Sequence, residues 1–406
     1  MMLGPANLVP QEDILCLLSL YAAAAQGPSG WQLDTGATIP AWTAPDHVMP
    51  ANELGSFFPG SGNTDANQGG FPWGILPPLD DNFYLIQAAY EYYRLTGISA
   101  YGPEPPNGAP AGAQTPIDQL FQSVRADGET GVVVAPDWTT ANAKDFGFRD
   151  SVFIDGKVLF PSILKFVAAN QLAEMAAASG QVSKSGYYAG VAAGIQAAIP
   201  ALFLQSDGWL HASTGYGGQQ DVWGTAYAVA SGAVSGNVAA TLAETLANAY
   251  LAGTTIKLGQ VRELPVTEPL NNGYWQGLCN TTGCGDYQNG GYWGTATGWY
   301  IVALACSYPD LARGLAQEYM SAMQASVDSD GHALALEWVD PDNGQLSSNT
   351  YYVATIALTL NVLQSAGLTG NRVPLLTRAP LPLATRQESR NTACQASLPS
   401  AAPVLR

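Results

Sequence analysis

The stretch Asp286-Tyr287-Gln288-Asn289-Gly290-Gly291-Tyr292-Trp293, continued by Gly294-Thr295-Ala296-Thr297-Gly298-Trp299-Tyr300, decides how the chain is read. A polar turn with paired glycines stands between aromatic residues and runs straight into an apolar helix. Gly290 and Gly291 let backbone approach a ligand or take positive φ. Gln288 and Asn289 supply neutral donors and acceptors, and Tyr287, Tyr292 and Trp293 supply flat apolar faces. A sugar, polar at its rim and weakly apolar on its faces, needs that combination. A glycine-rich turn between two helices accounts for the same residues without any ligand.

Working outward, the helical pattern dominates from about residue 80. Asn82 to Leu95 carries apolar residues at helical spacing and ends at Gly97. Lys157 to Ala178 is stopped by Gly180, and Gly186 to Leu204 follows it. Trp223 to Ala233 pairs with Val238 to Ala252, and Tyr292 to Ser307 with Leu311 to Ala325. Thr350 to Ala366 closes the series. Gly, Pro, Asn and Asp clusters separate them. Paired helices with such connections predict an all-α fold, an (α/α)6 toroid of hairpins with long irregular loops. Residues 1–370 form one catalytic domain on this reading, with a loop-rich part over 27–78, and 371–406 form an extended tail. Trp31, Trp42 and Trp73 in the loop-rich part favour ordered packing. Ile14 to Ala25 reads as an ordinary helix, because Glu12 and Asp13 precede it where a signal peptide needs basic residues.

The 406 residues are 47% hydrophobic and 12% charged, so a large core can be buried. A net charge of −17 argues against nucleic acid and anionic membranes, which need clustered Lys and Arg. No apolar run reaches the ~18 residues of a membrane span. Five cysteines and three histidines form no metal-binding pattern, so neither metal nor cofactor is expected. Cys279 and Cys284 close a short loop that could carry a disulfide. The acidic balance and sparse lysine tilt the compartment toward secreted or periplasmic. Oligomeric state is left open.

Nucleophile elbows, zinc motifs and phosphate loops are missing. The remaining catalytic stock is carboxylates beside aromatics in loops before helices. Pro77-Pro78-Leu79-Asp80-Asp81-Asn82 is one place, and Asp80 or Asp81 there would equally serve as an N-cap. Asp137-Trp138, with Arg149-Asp150 further on, is a second. The third is Glu337-Trp338-Val339-Asp340-Pro341-Asp342-Asn343-Gly344, where Glu337 ends an apolar run and is costly to bury without a task. Glycoside hydrolysis needs one carboxyl to protonate the leaving oxygen and one to activate water or attack carbon.

In their order, these blocks resemble the six-hairpin (α/α)6-barrel glycosidases, neutral/alkaline invertases above all and, more distantly, trehalases and processing α-glucosidases. Pro77 to Asp80 running into Tyr92-Tyr93-Arg94-Leu95-Thr96-Gly97 is similar to the block that holds the family's acid. Arg149-Asp150-Ser151-Val152 resembles its Asp-containing loop, Tyr287 to Trp293 its substrate-proximal block, and Glu337 to Gly344 its base block. The resemblance covers roughly residues 77 to 366. It implies an inverting hydrolase of a small glycoside or oligosaccharide, with Asp80 as acid, Asp81 or Asp150 as substitutes, and Glu337 as base. Trp73, Asp81, Asp137, Trp138, Arg149, Asp150, Tyr287, Gln288, Asn289, Tyr292, Trp293 and Trp338 are then substrate-binding residues. Ser151 and Val152 stand where the family has an Arg-rich stretch, and Gly294 follows Trp293 where Pro is usual, which weakens the case for sucrose. A polysaccharide lyase or terpene-type lyase/isomerase on the same toroid, and a non-catalytic glycan-binding protein, are the competing classes.

Overall fold

Glycine sets where several of the helices stop. In the computed structural model, α1 (Gln11–Ala24), α2 (Asp81–Thr96), α3 (Pro116–Ser123), α4 (Leu159–Ala178), α5 (Val182–Phe203), α6 (Val222–Ser231), α7 (Gly236–Leu251), α8 (Thr297–Ala305), α9 (Pro309–Ala325) and α10 (Ala354–Ser365) follow one another. The structure describes residues 11–49, 54–58, 62, 64–69, 74–101, 115–137, 139, 152–267, 287–332, 334–340 and 351–368. Gly97 ends α2 in the left-handed region at φ 73°, returning its N–H to Tyr93 O. Gly232 ends α6 the same way, at φ 76°.

Helix accounts for 52% of the described residues, against a few small sheets, so the described part is mostly helical as the sequence predicts. Burial sorts the helices into two layers. α4, α6 and α8 are buried along most of their length. α9 buries only Ala312, Leu315 and Tyr319. α4, α6 and α8 touch in succession, with α2 against α4 at one end of the row and α10 against α8 at the other. α3 backs α2, α5 backs α4, α7 backs α6 and α9 backs α8. An inner row of helices with an outer row behind it follows directly from that alternation.

Close approach within the inner row depends on Gly298. A Cβ there would sit 2.9 Å from Thr359 Cα. The gap lets Thr359 Oγ1 accept from Gly298 N at 3.2 Å and donate to Gly294 O at 2.9 Å. One core cluster runs from Leu79 to Trp338 through the inner row. A separate small one, Leu33, Ala37, Ile39, Phe57 and Phe58, holds the segment before α2.

That early segment is less irregular than its composition suggests. It carries two antiparallel pairs, β1 (Trp31–Gln32) with β2 (Thr38–Ile39) and β3 (His47–Met49) with β4 (Leu54–Ser56). Trp42 is ordered at a positive φ of 60°, whereas Trp31 is 43% exposed and does not pack. β5 (Val134–Ala135) pairs with β6 (Gly156–Lys157), and β7 (Ile256–Lys257), β8 (Gln260–Arg262) and β9 (Tyr292–Trp293) form a three-stranded sheet.

Two differences from the sequence reading stand out. Tyr292 and Trp293 are strand, not the first turn of a helix, because both pair with β8. Helix begins only after a 3-10 turn over Gly294–Ala296. α5 starts four residues before Gly186 and reaches 22 residues, long and apolar enough by length and composition to cross a membrane. Here it backs α4, burying Tyr188, Ala192, Ile195 and Phe203.

Asp118 ties the outer layer together. It caps α3 by accepting from Thr115 N, and its carboxylate also receives Tyr101, Tyr188 and the Lys184 ammonium. These bonds outweigh its burial and hold its carboxyl below the usual range.

Candidate functional site

Backbone pairing positions Glu337. β9 pairs with β8 through Val261 with Trp293 and Arg262 with Tyr292. On its other edge Tyr292 exchanges both backbone hydrogen bonds with Val339, at 3.1 and 2.8 Å. Leu336 O accepts Thr355 Oγ1 at 2.6 Å, and Ala335 O accepts Tyr352 N at 2.7 Å. Glu337 is therefore gripped on both sides, by the sheet and by the start of α10. Its side chain is half-buried, and burial pushes its carboxyl above the ordinary glutamate value. A long hydrogen bond from Tyr287 Oη, 3.4 Å from Oε1, partly opposes that rise.

Tyr287 adopts a positive φ of 46°, a conformation that costs a non-glycine residue roughly 1–2 kcal/mol. Its carbonyl accepts from Gly291 N at 2.7 Å and Trp293 Nε1 at 3.2 Å, which hold the turn closed. Gly291 is used here for proximity and not for φ. A Cβ on it would lie 2.5 Å from Trp338 Cε3 and 2.7 Å from Tyr287 O. The rings meet edge to face, Tyr287 with Trp293 at 5.0 Å, Tyr287 with Trp338 at 6.2 Å, and Trp293 with Tyr352 at 6.0 Å. Trp338 is 8% exposed and its Nε1 has no hydrogen-bond partner. Gln288 is buried, and Arg262, also buried, donates from Nε to Gly290 O at 2.9 Å.

α2 carries the second carboxylate group. Asp80 occupies its N-cap position, yet its side chain makes no capping bond, so capping does not explain it. It is 3% exposed. Asn82 fixes this end of the helix: its Oδ1 accepts from Ala44 N at 2.6 Å and its Nδ2 donates to Leu120 O at 2.7 Å. Asp81 Oδ2 is buried without a partner. Burial, then the charges of Asp46 and Asp80, push the Asp81 carboxyl well above the usual range. Asp46 also pairs with His47 Nδ1 at 2.8 Å.

Aromatic residues join the two groups. Tyr84, one turn after Asp80, is driven well above the usual tyrosine value by burial and then by Asp80, Tyr227, Tyr352 and Asp81. Tyr352 packs on Trp293, and Trp293 on Tyr287. Tyr227 of α6 packs on Trp299 of α8 at 4.6 Å, and both meet Phe160 of α4, at 5.5 and 5.7 Å. Each helix of the inner row, or the segment leading into it, thus contributes an aromatic ring to this series of contacts. Tyr84, Tyr227 and Tyr352 were not singled out from sequence. Only Tyr84 had a readable signal, its i+4 spacing from Asp80.

Asp137 is exposed, and its carboxylate closes on Thr139 N and Oγ1 at 2.8 and 2.6 Å. Trp73, Trp138, Arg149, Asp150, Cys279 and Cys284 lie outside the described residues, as does the side chain of Asn289. The three histidines each face an aspartate, His47 with Asp46, His211 with Asp207 and His332 with Asp328. Among the described residues no cluster of His, Cys, Asp and Glu is placed to hold a metal. Cys306 is disulfide-bonded, and Cys16 is free and exposed.

No protein-family model matches this chain, and no curated protein does either. A solved structure titled "Sialidase" is similar over 71% of this chain and 26% of that one, with 13% identity and a TM-score of 0.47. This chain therefore spans about a quarter of that protein's length, and at that TM-score the likeness carries no functional argument.

Proposed function

We propose that the chain is a glycoside hydrolase of small glycosides or oligosaccharides, working by two-carboxylate acid/base catalysis on a closed (α/α)6 toroid. Glu337 carries the reading. It is held by backbone on both sides, partly desolvated, touched by a strained tyrosine and set against Trp338 and Tyr287. Strain of this kind persists where the surroundings over-determine it, commonly at functional sites. Asp80, buried at a helix start without capping it, supplies the second carboxyl. Asp81, whose carboxyl is pushed upward by burial and its neighbours, stands beside it as a second proton carrier.

In the mechanism, the acid protonates the glycosidic oxygen as the bond to the anomeric carbon breaks. Ionised Glu337 removes a proton from water attacking the opposite ring face, which inverts the anomeric centre. The ring of Tyr352, backed by the buried Trp293, offers an apolar face to the sugar. The Cys306 disulfide favours an oxidising compartment for this activity.

The test is turnover of a panel of aryl glycosides and disaccharides, with the product anomer followed by proton NMR. Hydrolysis with inversion, lost in Glu337→Gln and Asp80→Asn, supports the proposal. Folded variants that hydrolyse normally would sink it, and retention would replace inversion by a covalent intermediate.

A further inference from the structure

α2, α4, α6 and α8 each have the next helix of the chain at their back, α3, α5, α7 and α9 in turn. α10 breaks this rule. It meets α8 and the Gly294–Ala296 turn, and among the described residues no element follows it. Its inward side is filled: Thr355 and Thr359 are fully buried, and Tyr352, Val362 and Leu363 pack on the core. Val353, Ile356, Ala357 and Leu360 stand at i, i+3, i+4 and i+7 and share another side. Val353 is 42% exposed and Leu360 38%, so this apolar stripe faces outward.

The chain itself supplies a fitting cover. After α10, Gly367 takes a φ of 71° and returns its N–H to Gln364 O, while Leu368 N returns to Leu363 O. The two bonds make a Schellman turn, and Leu368 packs back against the core. The chain thus leaves α10 turned off the helix axis. In the sequence that follows, Val373, Leu375, Leu376, Leu381 and Leu383 are interleaved with Pro374, Pro380 and Pro382. Prolines at that spacing oppose a further helix and favour extended backbone. At ~3.1 Å per residue, 373–383 would span about 34 Å, more than the ~18 Å length of α10. Charge agrees. Five arginines against Glu388 alone give 369–406 a net charge of +4, within a chain that carries −17. The remainder, at −21, attracts it.

We propose that residues 373–383 lie as an extended strap over the Val353, Ile356 and Leu360 stripe of α10, doing for this helix what α9 does for α8. The strap bears on the candidate site, because the start of α10 holds the backbone before Glu337 through Thr355 to Leu336 O and Tyr352 to Ala335 O.

The experiment follows amide hydrogen–deuterium exchange over 354–365 in the full chain, with Tm and light scattering alongside. Leu375→Asp together with Leu381→Asp places charge in the strap without altering any described residue. Exchange in α10 should quicken about tenfold, while α4 and α6 keep their protection. A chain ending at Leu368 should show the same pattern. In a Leu360→Ser background the tail substitutions should add little, since the two sides of one contact are not independent. Unchanged α10 exchange in the folded Leu375/Leu381 variant overturns the strap. Protection that falls on dilution, with a dimer seen by light scattering, also overturns it and assigns the stripe to a second copy of the chain. None of these readouts needs a substrate, so the outcome is separate from that of the hydrolase reading.

Discussion

The Tyr287 hydroxyl reaches to 3.4 Å from Glu337 Oε1, from a residue whose backbone sits at a φ of 46°. Relaxing that φ would swing the ring away, so a local strain and a carboxylate contact are two ends of one arrangement. Tyr287→Phe removes the bond that lowers the Glu337 pKa. Because the base works ionised, activity is lost as pH falls through that pKa. The acid limb of kcat/KM should move to higher pH in the variant. A pH–rate profile with an unmoved limb would show that the contact has no electrostatic role.

Glu337→Gln keeps the size of the side chain and removes its basicity. Loss of a positioned acid or base typically costs 10²–10⁴-fold, and kcat should fall by about that factor. Circular dichroism and Tm should match the wild type, since the backbone grip through Tyr292 and Thr355 is untouched.

Gly291→Ala places a methyl 2.5 Å from Trp338 Cε3. Overpacking of this sort costs about 1–3 kcal/mol. The Trp338 ring must move, so tryptophan fluorescence should shift and activity should drop while most of the fold survives.

Asp81 provides a pH test of stability. Its folded pKa is raised, so the folded state binds the proton more tightly than the unfolded chain. Stability is then highest below the unfolded value and declines as pH rises toward the folded one. Asp81→Asn removes this dependence. Its Tm relative to wild type should rise from pH 4 to pH 8; a constant difference across that range would refute the protonated state.

Asp118 has the opposite sign. Its pKa is lowered, so its contribution is present above the unfolded value and lost as pH falls through the folded one. Asp118→Ala leaves the Lys184 ammonium, Tyr101 and Tyr188 without their acceptor. Breaking such a buried pair costs about 3–5 kcal/mol, readable by chemical denaturation.

Helix existence was legible where glycine marks the stops, as at Gly97 and Gly180. The 3.6-residue period located α4, α6 and α7 within a residue or two of their observed ends. α3 was missed because only eight residues follow Pro116's neighbourhood of turn formers. Tyr292 and Trp293 misled because their apolar run continues into α8, while the pairing that makes them strand lies with Val261 and Val339, distant in sequence. Glu337 could be nominated because a carboxylate in an apolar run is conspicuous, and Asp80 because its block resembles the acid block of the six-hairpin glycosidases. Tyr352 reads as a helix residue and gains meaning only from Trp293 and Tyr84.

The walls of the site come from opposite ends of the chain. Tyr84 belongs to an early helix, and Tyr352 to the lead-in of the last described one. During synthesis the first wall therefore waits, unmatched, while everything between is translated. Its apolar face is open to wrong partners for that whole interval, and the last described helix docks late onto it. Cleavage or premature termination anywhere ahead of α10 should yield a product rich in helix, slow to leave a chaperone, and wholly inert.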